Sequence, residues 1–231
     1  MLPTLTTPSG KGALRRALER FAERETQRRR VTRIGFLIDA TASRAPTWEQ
    51  AQAAQAQMFR SVQKLGRLAV RLVHFGGGRL TDDGWFGDPQ KAAAAVARVR
   101  CQSGVTRILP GLAAFLDAPP EMRPSAIILI GDSFEEDARE AERVGAALRN
   151  AGIRVFSFLE GDDGTAGAVF GGLARLTGGR FAALGAELPL HALCEAVALL
   201  AAGGAKALAR LPDGPAKRLL LAGPSTKEKA R

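Results

Sequence analysis

With 231 residues, 46% of them apolar and 24% charged, the chain is long enough to bury a sizeable core as one α/β domain with flanking segments. Its net charge of +10 is confined to the two ends: residues 1–31 carry eight Lys/Arg against three Glu, residues 206–231 carry seven against two acids, and residues 32–205 hold eighteen of each sign. This distribution argues against a nucleic-acid-binding face spread over the core and for basic arms that contact a polyanion or aid solubility.

No apolar stretch follows the first basic residues, and no run of 18 apolar residues lacks a charge, so the expectation is a cytoplasmic protein with no membrane span. Cys101 and Cys194 have no CxxC or Cys/His spacing and read as ordinary reduced thiols.

In chain order, residues 13–30 place Leu14, Leu18 and Phe21 at helical spacing among Glu and Arg, which predicts a basic, weakly amphipathic helix within an N-terminal arm, 1–31. Arg33–Asp39 follows as a short apolar run ending in an acid, the pattern of a parallel strand buried on both faces. A helix is predicted over Thr47–Leu65, with Thr47 and Gln50 spaced as a capping box, then a strand over Leu68–Phe75 closed by Gly76–Gly78. Asp82-Asp83-Gly84 reads as a turn leading into a short antiparallel edge strand at Trp85–Phe86.

Pro89–Val99 is a helix capped by Asp88, Ile108–Leu116 a short helix, and Ser125–Asp132 the clearest buried strand. Alternation then continues: helix 137–150, strand Arg154–Leu159, helix 167–177, strand Arg180–Ala183 and helix Leu188–Ala202. The expected fold is an α/β, Rossmann-like, doubly wound domain over residues 32–203, with a mostly parallel six-stranded sheet, one antiparallel edge strand and helices on both faces. From Gly203 the Gly, Pro, Lys and Arg content predicts a flexible basic tail, 204–231.

Two strands end in an acid followed by hydroxyl residues: Asp39-Ala40-Thr41-Ala42-Ser43 and Asp132-Ser133. Ligands of open α/β sheets bind outside the carboxyl ends of the strands where strand order reverses, so two such strands at that point would bring both acids together. The loop Cys101–Arg107 adds the hydroxyl of Thr106. Two carboxylates and three hydroxyls form a hard oxygen donor set suited to Mg²⁺, Mn²⁺ or Ca²⁺.

Asp39–Ser43 resembles the DxSxS motif of the metal-ion-dependent adhesion site of von Willebrand factor type A (vWA) domains, with Thr41 in the place of the middle serine. The SGVTRI segment is similar to the loop that supplies that family's threonine, here Thr106, and the GD of ILIGDS matches its second aspartate, Asp132. The likeness covers about residues 32–202. It implies a non-catalytic protein-interaction module in which Thr41 and Ser43 are direct ligands of Mg²⁺. Asp39 and Asp132 would hold bound water and orient the hydroxyls, and a partner's Asp or Glu would fill the open position. It also implies work inside a multiprotein assembly, among chaperones or ATPases. Glu135, Glu136 and Asp137, which come after the second acid, read as residues favoured by a helix N-terminus.

The first rival is a haloacid dehalogenase-like Mg²⁺-dependent phosphatase with Asp39 as nucleophile. It needs a general acid two residues on, where Thr41 stands, and a lysine shortly before the second acidic strand, where Arg123 is the nearest base. The second rival is a nucleic-acid-binding module acting through the basic ends, which marked salt dependence would reveal. His74 and His191 stand apart from any recognisable nucleophile motif and read as structural.

Overall fold

The apolar run Thr32–Asp39 forms β1, whose last six residues are all buried, and it lies between two parallel partners as its composition requires. The computed structural model describes residues 12, 15, 31–46, 48, 49, 52, 53, 68–185 and 188–222. The chain divides into two units, Met1–Val31 and Thr32–Arg231, and the sheet with its helices belongs to the second. The expected arm helix over 13–30 and most of the expected helix over Thr47–Leu65 lie outside the described residues. Trp48, Glu49, Gln52 and Ala53 are helical.

The other strands are β2 (Leu68–Gly76), β3 (Arg79–Phe86), β4 (Ala126–Gly131), β5 (Arg154–Leu159) and β6 (Phe181–Ala183). They form one six-stranded sheet in the order β3-β2-β1-β4-β5-β6, parallel except for β3 on one edge. Strand order therefore reverses between β1 and β4, and the crevice outside their carboxyl ends is the expected ligand position of such a sheet.

Helices α1 (Pro89–Arg98), α2 (Ile108–Ala114), α3 (Ala138–Asn150), α4 (Gly164–Thr177), α5 (Leu190–Leu208) and α6 (Pro215–Leu221) cover both faces. Ile34, Phe36, Ile38, Ile128, Ile130 and Phe156 point to the layer containing α1, α5 and α6. Leu37, Val73, Ile127, Leu129 and Val155 point to the layer containing α2, α3 and α4. The alternation along β1 and β4 is the period-two geometry of a strand with a core on each side. On the second face, α2 lies so close to β1 that a Cβ on Gly35 would come within 2.5 Å of the Phe115 ring and one on Gly111 within 2.4 Å of Leu37. Those two glycines set the depth at which α2, and the loop before it, sits against the strand.

Two local expectations are corrected. Asp82-Asp83-Gly84 is not a turn but lies within β3, where the register opposite Leu72 and Val73 skips Asp83. Gly84 has φ +78° and its N–H donates to Asp82 Oδ1 at 2.9 Å, so the turn-like residues make a β-bulge. The hairpin itself turns at Gly77 and Gly78, both with positive φ, the conformation of a two-residue type I′ connection.

The flexible tail expected from Gly203 onward is also not what the described residues show. Gly204, at φ 65° and ψ −161°, breaks the helical run of α5, which resumes beyond it as a short turn to Leu208; α6 starts with Pro215 in its first turn; and Leu208, Ala216 and Leu220 are buried in the first core layer. Helix α5 is long and apolar enough by length and composition to cross a membrane. One face of it, including Leu193, Cys194, Val197 and Ala198, is buried against the sheet, and its helical run is broken at Gly204.

Candidate functional site at the β1/β4 switch point

At the end of β1 the chain turns sharply. Asp39 is fully buried, Thr41 is 5% exposed and Ser43 is exposed, so the motif runs from the core to the surface within one turn. Thr41 N–H donates to Asp39 Oδ1 at 2.8 Å, the short-range closure expected of an Asp in a turn. The hydroxyls of Thr41 and Ser43 lie 3.0 Å apart, so they share one opening above the strand end.

Asp39 Oδ2 is buried and has no hydrogen-bond partner among the described residues. Burial, with help from the charge of Asp132, raises the Asp39 carboxyl to a pKa of about 6, against the opposing hydrogen bonds from Thr41 and the charge of Arg44. A carboxylate left half satisfied in a core is costly, and its open oxygen is the place for a cation or ordered water.

Asp132 stands at the end of β4, the neighbour of β1. A Cβ on Gly131, the residue before it, would lie 3.5 Å from Asp39 Oδ2, so the two strand ends bring their acids to one crevice. The third contributor, the Cys101–Thr106 loop, is fastened by its backbone. Gln102 N–H donates to Ala40 C=O at 3.0 Å, and Gly77 N–H donates to Gln102 C=O at 3.3 Å. Gly104 packs so tightly on the β2–β3 turn that a Cβ there would meet Gly78 N at 2.4 Å.

Thr106, 4% exposed, is held by a reciprocal pair. Its Oγ1 accepts from Glu135 N–H at 3.1 Å, and its own N–H donates to Glu135 Oε2 at 3.1 Å. Glu136 accepts from Ile108 N–H at 2.6 Å and from Leu109 N–H at 3.0 Å, so it caps α2 from 28 residues away. Burial raises the Glu136 carboxyl, opposed by those donors.

Of the three acids read as residues for the helix after them, only Asp137 plays that part, accepting from Arg139 N–H at the start of α3. Glu135 and Glu136 instead lock the Thr106 loop to the Asp132 loop. The structure thus gathers Asp39, Thr41 and Ser43 in one turn, sets Asp132 beside Asp39, and ties Thr106 to the Asp132 loop.

Sequence reasoning missed Arg44 and Glu160 altogether. Arg44 is 1% exposed, and its guanidinium donates to the Asp39 carbonyl and to both carboxylate oxygens of Glu160, the residue after β5. The thiol of Cys101, raised chiefly by burial, feels the charges of Arg44, Asp39, Asp132 and Glu160. His74 has a partner: its Nε2 lies 3.4 Å from Asp83 Oδ2 on the β2–β3 hairpin, and burial lowers its pKa. A groove of ≈970 Å³ between α3 and α4, lined by Ala141, Arg149, Leu173, Arg175 and Leu176 among others, includes none of the five candidate residues.

Tested against the residues present, a divalent cation fits. An unpartnered buried carboxylate oxygen faces the crevice, and the nearby donors are hard oxygens. Among the described residues no cluster of three or more His, Cys, Asp or Glu forms a metal site, so any cation here depends on hydroxyl donors as well.

A six-stranded sheet in this order, its antiparallel edge strand and its two helical layers make the fold that of a vWA domain. Among solved structures it is similar to the conserved hypothetical protein BatB from Bacteroides thetaiotaomicron (TM-score 0.60, 16% identity, covering 76% of this chain and 99% of that one). It is also similar to the SpRpn10 VWA domain (TM-score 0.56, 10% identity, 67% and 88%). A third likeness is to proximal thread matrix protein 1 from the mussel byssus, solved with a zinc-occupied MIDAS motif (TM-score 0.59, 21% identity, 74% and 46%). At these identities the likeness establishes the fold. No protein-family model and no curated protein matches the sequence.

Proposed function

We propose that this chain is a vWA-type interaction module that holds a divalent cation among Asp39, Thr41, Ser43, Thr106 and Asp132 and uses it to capture an acidic side chain of a protein partner. The observation that carries this reading is Asp39 Oδ2, buried and unpartnered at the β1/β4 switch point beneath two adjacent hydroxyls. A bound cation would supply a Lewis-acidic position open to an incoming carboxylate.

The chain's own residues do the rest. Thr41 and Ser43 offer neutral oxygens, and the two aspartates orient them and bound water. Glu135 keeps the Thr106 loop in place. With few anionic donors in direct contact, the site keeps its appetite for a negative partner. Mg²⁺ suits this donor set best, with Mn²⁺ and Ca²⁺ as alternatives. The zinc found in the mussel protein's site belongs to that protein. We place the module in the cytoplasm, within a multiprotein assembly of the kind served by chaperones or ATPases.

The test is calorimetric titration of Mg²⁺ and Mn²⁺ into chelator-stripped protein, beside the Asp39→Ala variant, with a thermal melt of each. Binding and cation-dependent stabilisation in the parent, lost in a variant that still folds, supports the reading. Absence of binding to the parent at millimolar cation refutes the cation-dependent mechanism.

A further inference from the structure

Arg44 is among the largest fully buried side chains of the described residues, and nothing in the DxSxS pattern asks for it. Its Nη2 donates to Glu160 Oε1 at 2.8 Å and its Nε to Oε2 at 3.1 Å, a two-point grip on the carboxylate. A further N–H reaches the carbonyl of Asp39, and the guanidinium lies 5.2 Å from the centre of the Trp48 ring. Glu160 in turn donates its backbone N–H to the carbonyl of Gly131 at 2.9 Å, one residue before Asp132.

These contacts run in a chain: Asp39 carbonyl, Arg44, Glu160, Gly131. They span the carboxyl ends of β1, β4 and β5, and add a side-chain tie across strand ends that the β1–β4 backbone pairing, Ile38 opposite Ile130, sets side by side. Stability alone does not explain such a pair, since a buried ion pair is often no better than apolar residues of similar volume. A planar fork gripping a carboxylate does, however, hold geometry that an ammonium or an apolar side chain cannot.

We propose that Arg44 and Glu160 form a staple that positions Asp39 and Asp132 for a divalent cation, with Arg44 the positioning residue; the inference rests on the cation site proposed above. Charge and geometry then pull in opposite directions. By Coulomb's law alone, removing a cation from beside the site strengthens binding of Mg²⁺, whereas losing the staple weakens it.

The experiment titrates MgCl₂ into the chelator-stripped full chain and its Arg44→Gln, Arg44→Lys, Glu160→Gln and doubly substituted (R44Q/E160Q) forms, each shown by a melt to be folded at the titration temperature. The expected result is a loss of about tenfold or more in Mg²⁺ affinity for Arg44→Gln and for Glu160→Gln. The double form is expected to be no weaker than the worse single one, because the two side chains act as a unit. Arg44→Lys keeps the charge and loses the fork, so it too is expected to bind more weakly; it carries the test if Arg44→Gln does not fold. Affinity unchanged or improved in folded Arg44→Lys or Arg44→Gln, with only the melting temperature lowered, makes the pair a packing feature and overturns the staple. A parent that binds no Mg²⁺ overturns the cation site and the staple together, whereas a parent that binds beside an equally tight Arg44→Lys overturns the staple alone.

Discussion

Replacing Asp39 by Asn removes the buried charge while keeping the shape of the side chain, and the structure sets the size of the effect. The carboxyl titrates at about 6 when folded and near 3.8 in an unstructured chain. That difference corresponds to about 3 kcal/mol by which the ionised group disfavours the folded state at neutral pH. The sign follows from proton counting. Between the two values the folded state binds more protons than the unfolded one, so this group's contribution to stability improves as pH falls through about 6, and its penalty is gone below 3.8.

In chelator at pH 7.5, Asp39→Asn is therefore expected to be more stable than the parent by up to about 3 kcal/mol. That is a gain in melting temperature of roughly 6–12 °C for a domain of this size. At pH 5 the gap narrows to about half. Saturating Mg²⁺ stabilises the parent, by about 2.7 kcal/mol at a hundred times its dissociation constant, and leaves the variant unmoved. Melts in chelator at pH 7.5 and 5, with and without Mg²⁺, read all three effects. A variant no more stable than the parent at pH 7.5, with a gap that does not change with pH, would show that the Asp39 charge does not destabilise the cation-free fold.

Thr106→Val keeps the volume but strips the acceptor from the Glu135 N–H, so it is expected to cost about 1–3 kcal/mol in a thermal melt and to weaken Mg²⁺ binding in calorimetry. Glu136→Ala uncaps α2 and is expected to lower stability by about 1–2 kcal/mol, with faster amide hydrogen exchange at Ile108 and Leu109 and slower positions elsewhere unchanged. Leu220→Ala is expected to cost about 2–5 kcal/mol because Leu220 is 5% exposed in the first core layer. Leu221→Ala, at 45% exposed, is expected to stay within about 0.5 kcal/mol; equal effects of the two in denaturant titrations would mean that α6 is not part of the core.

How far the sequence could be read depended on whether the deciding contacts were local. Both acid-bearing strands were legible because strands buried on two faces need unbroken apolar runs, and β1 and β4 have them. The Asp88–Pro89 start of α1 was legible because a cap is a contact two residues long. Of β3 only the end at Trp85–Phe86 was legible; its first part was not, since an exposed edge strand has no core to impose alternation and its bulge borrows the residues of a turn. The end of α5 beyond Ala202 and the whole of α6 were hidden by Gly203, Gly204, Pro212 and Pro215, which read as breakers until Gly204 is seen to absorb a kink and Pro215 to begin a helix. Arg44 and Glu160 are 116 residues apart, and no local pattern encodes such a pair. Glu135 and Glu136 had the right chemistry for a helix N-terminus, but for Glu136 the helix served is α2, upstream in the chain.

The rest of the core satisfies its polar groups closely, which makes the exceptions informative. Among the described residues only two buried side-chain atoms lack a partner, Asp39 Oδ2 and Arg107 Nε, and both belong to segments of the candidate site. Around Asp39 the neighbouring machinery is complete: Thr41 holds one carboxylate oxygen, Arg44 holds the carbonyl, and Glu135 and Glu136 hold the facing loop. A chain able to satisfy all of these groups could satisfy Oδ2 as well, with a hydroxyl or another donor beside it. Keeping the acid open costs stability in the cation-free protein, and the same cost makes cation binding and folding stability one linked equilibrium. Local conflict of this kind belongs at sites selected for something other than stability, which is why the open oxygen of Asp39 weighs more in the functional reading than the motif that led to it.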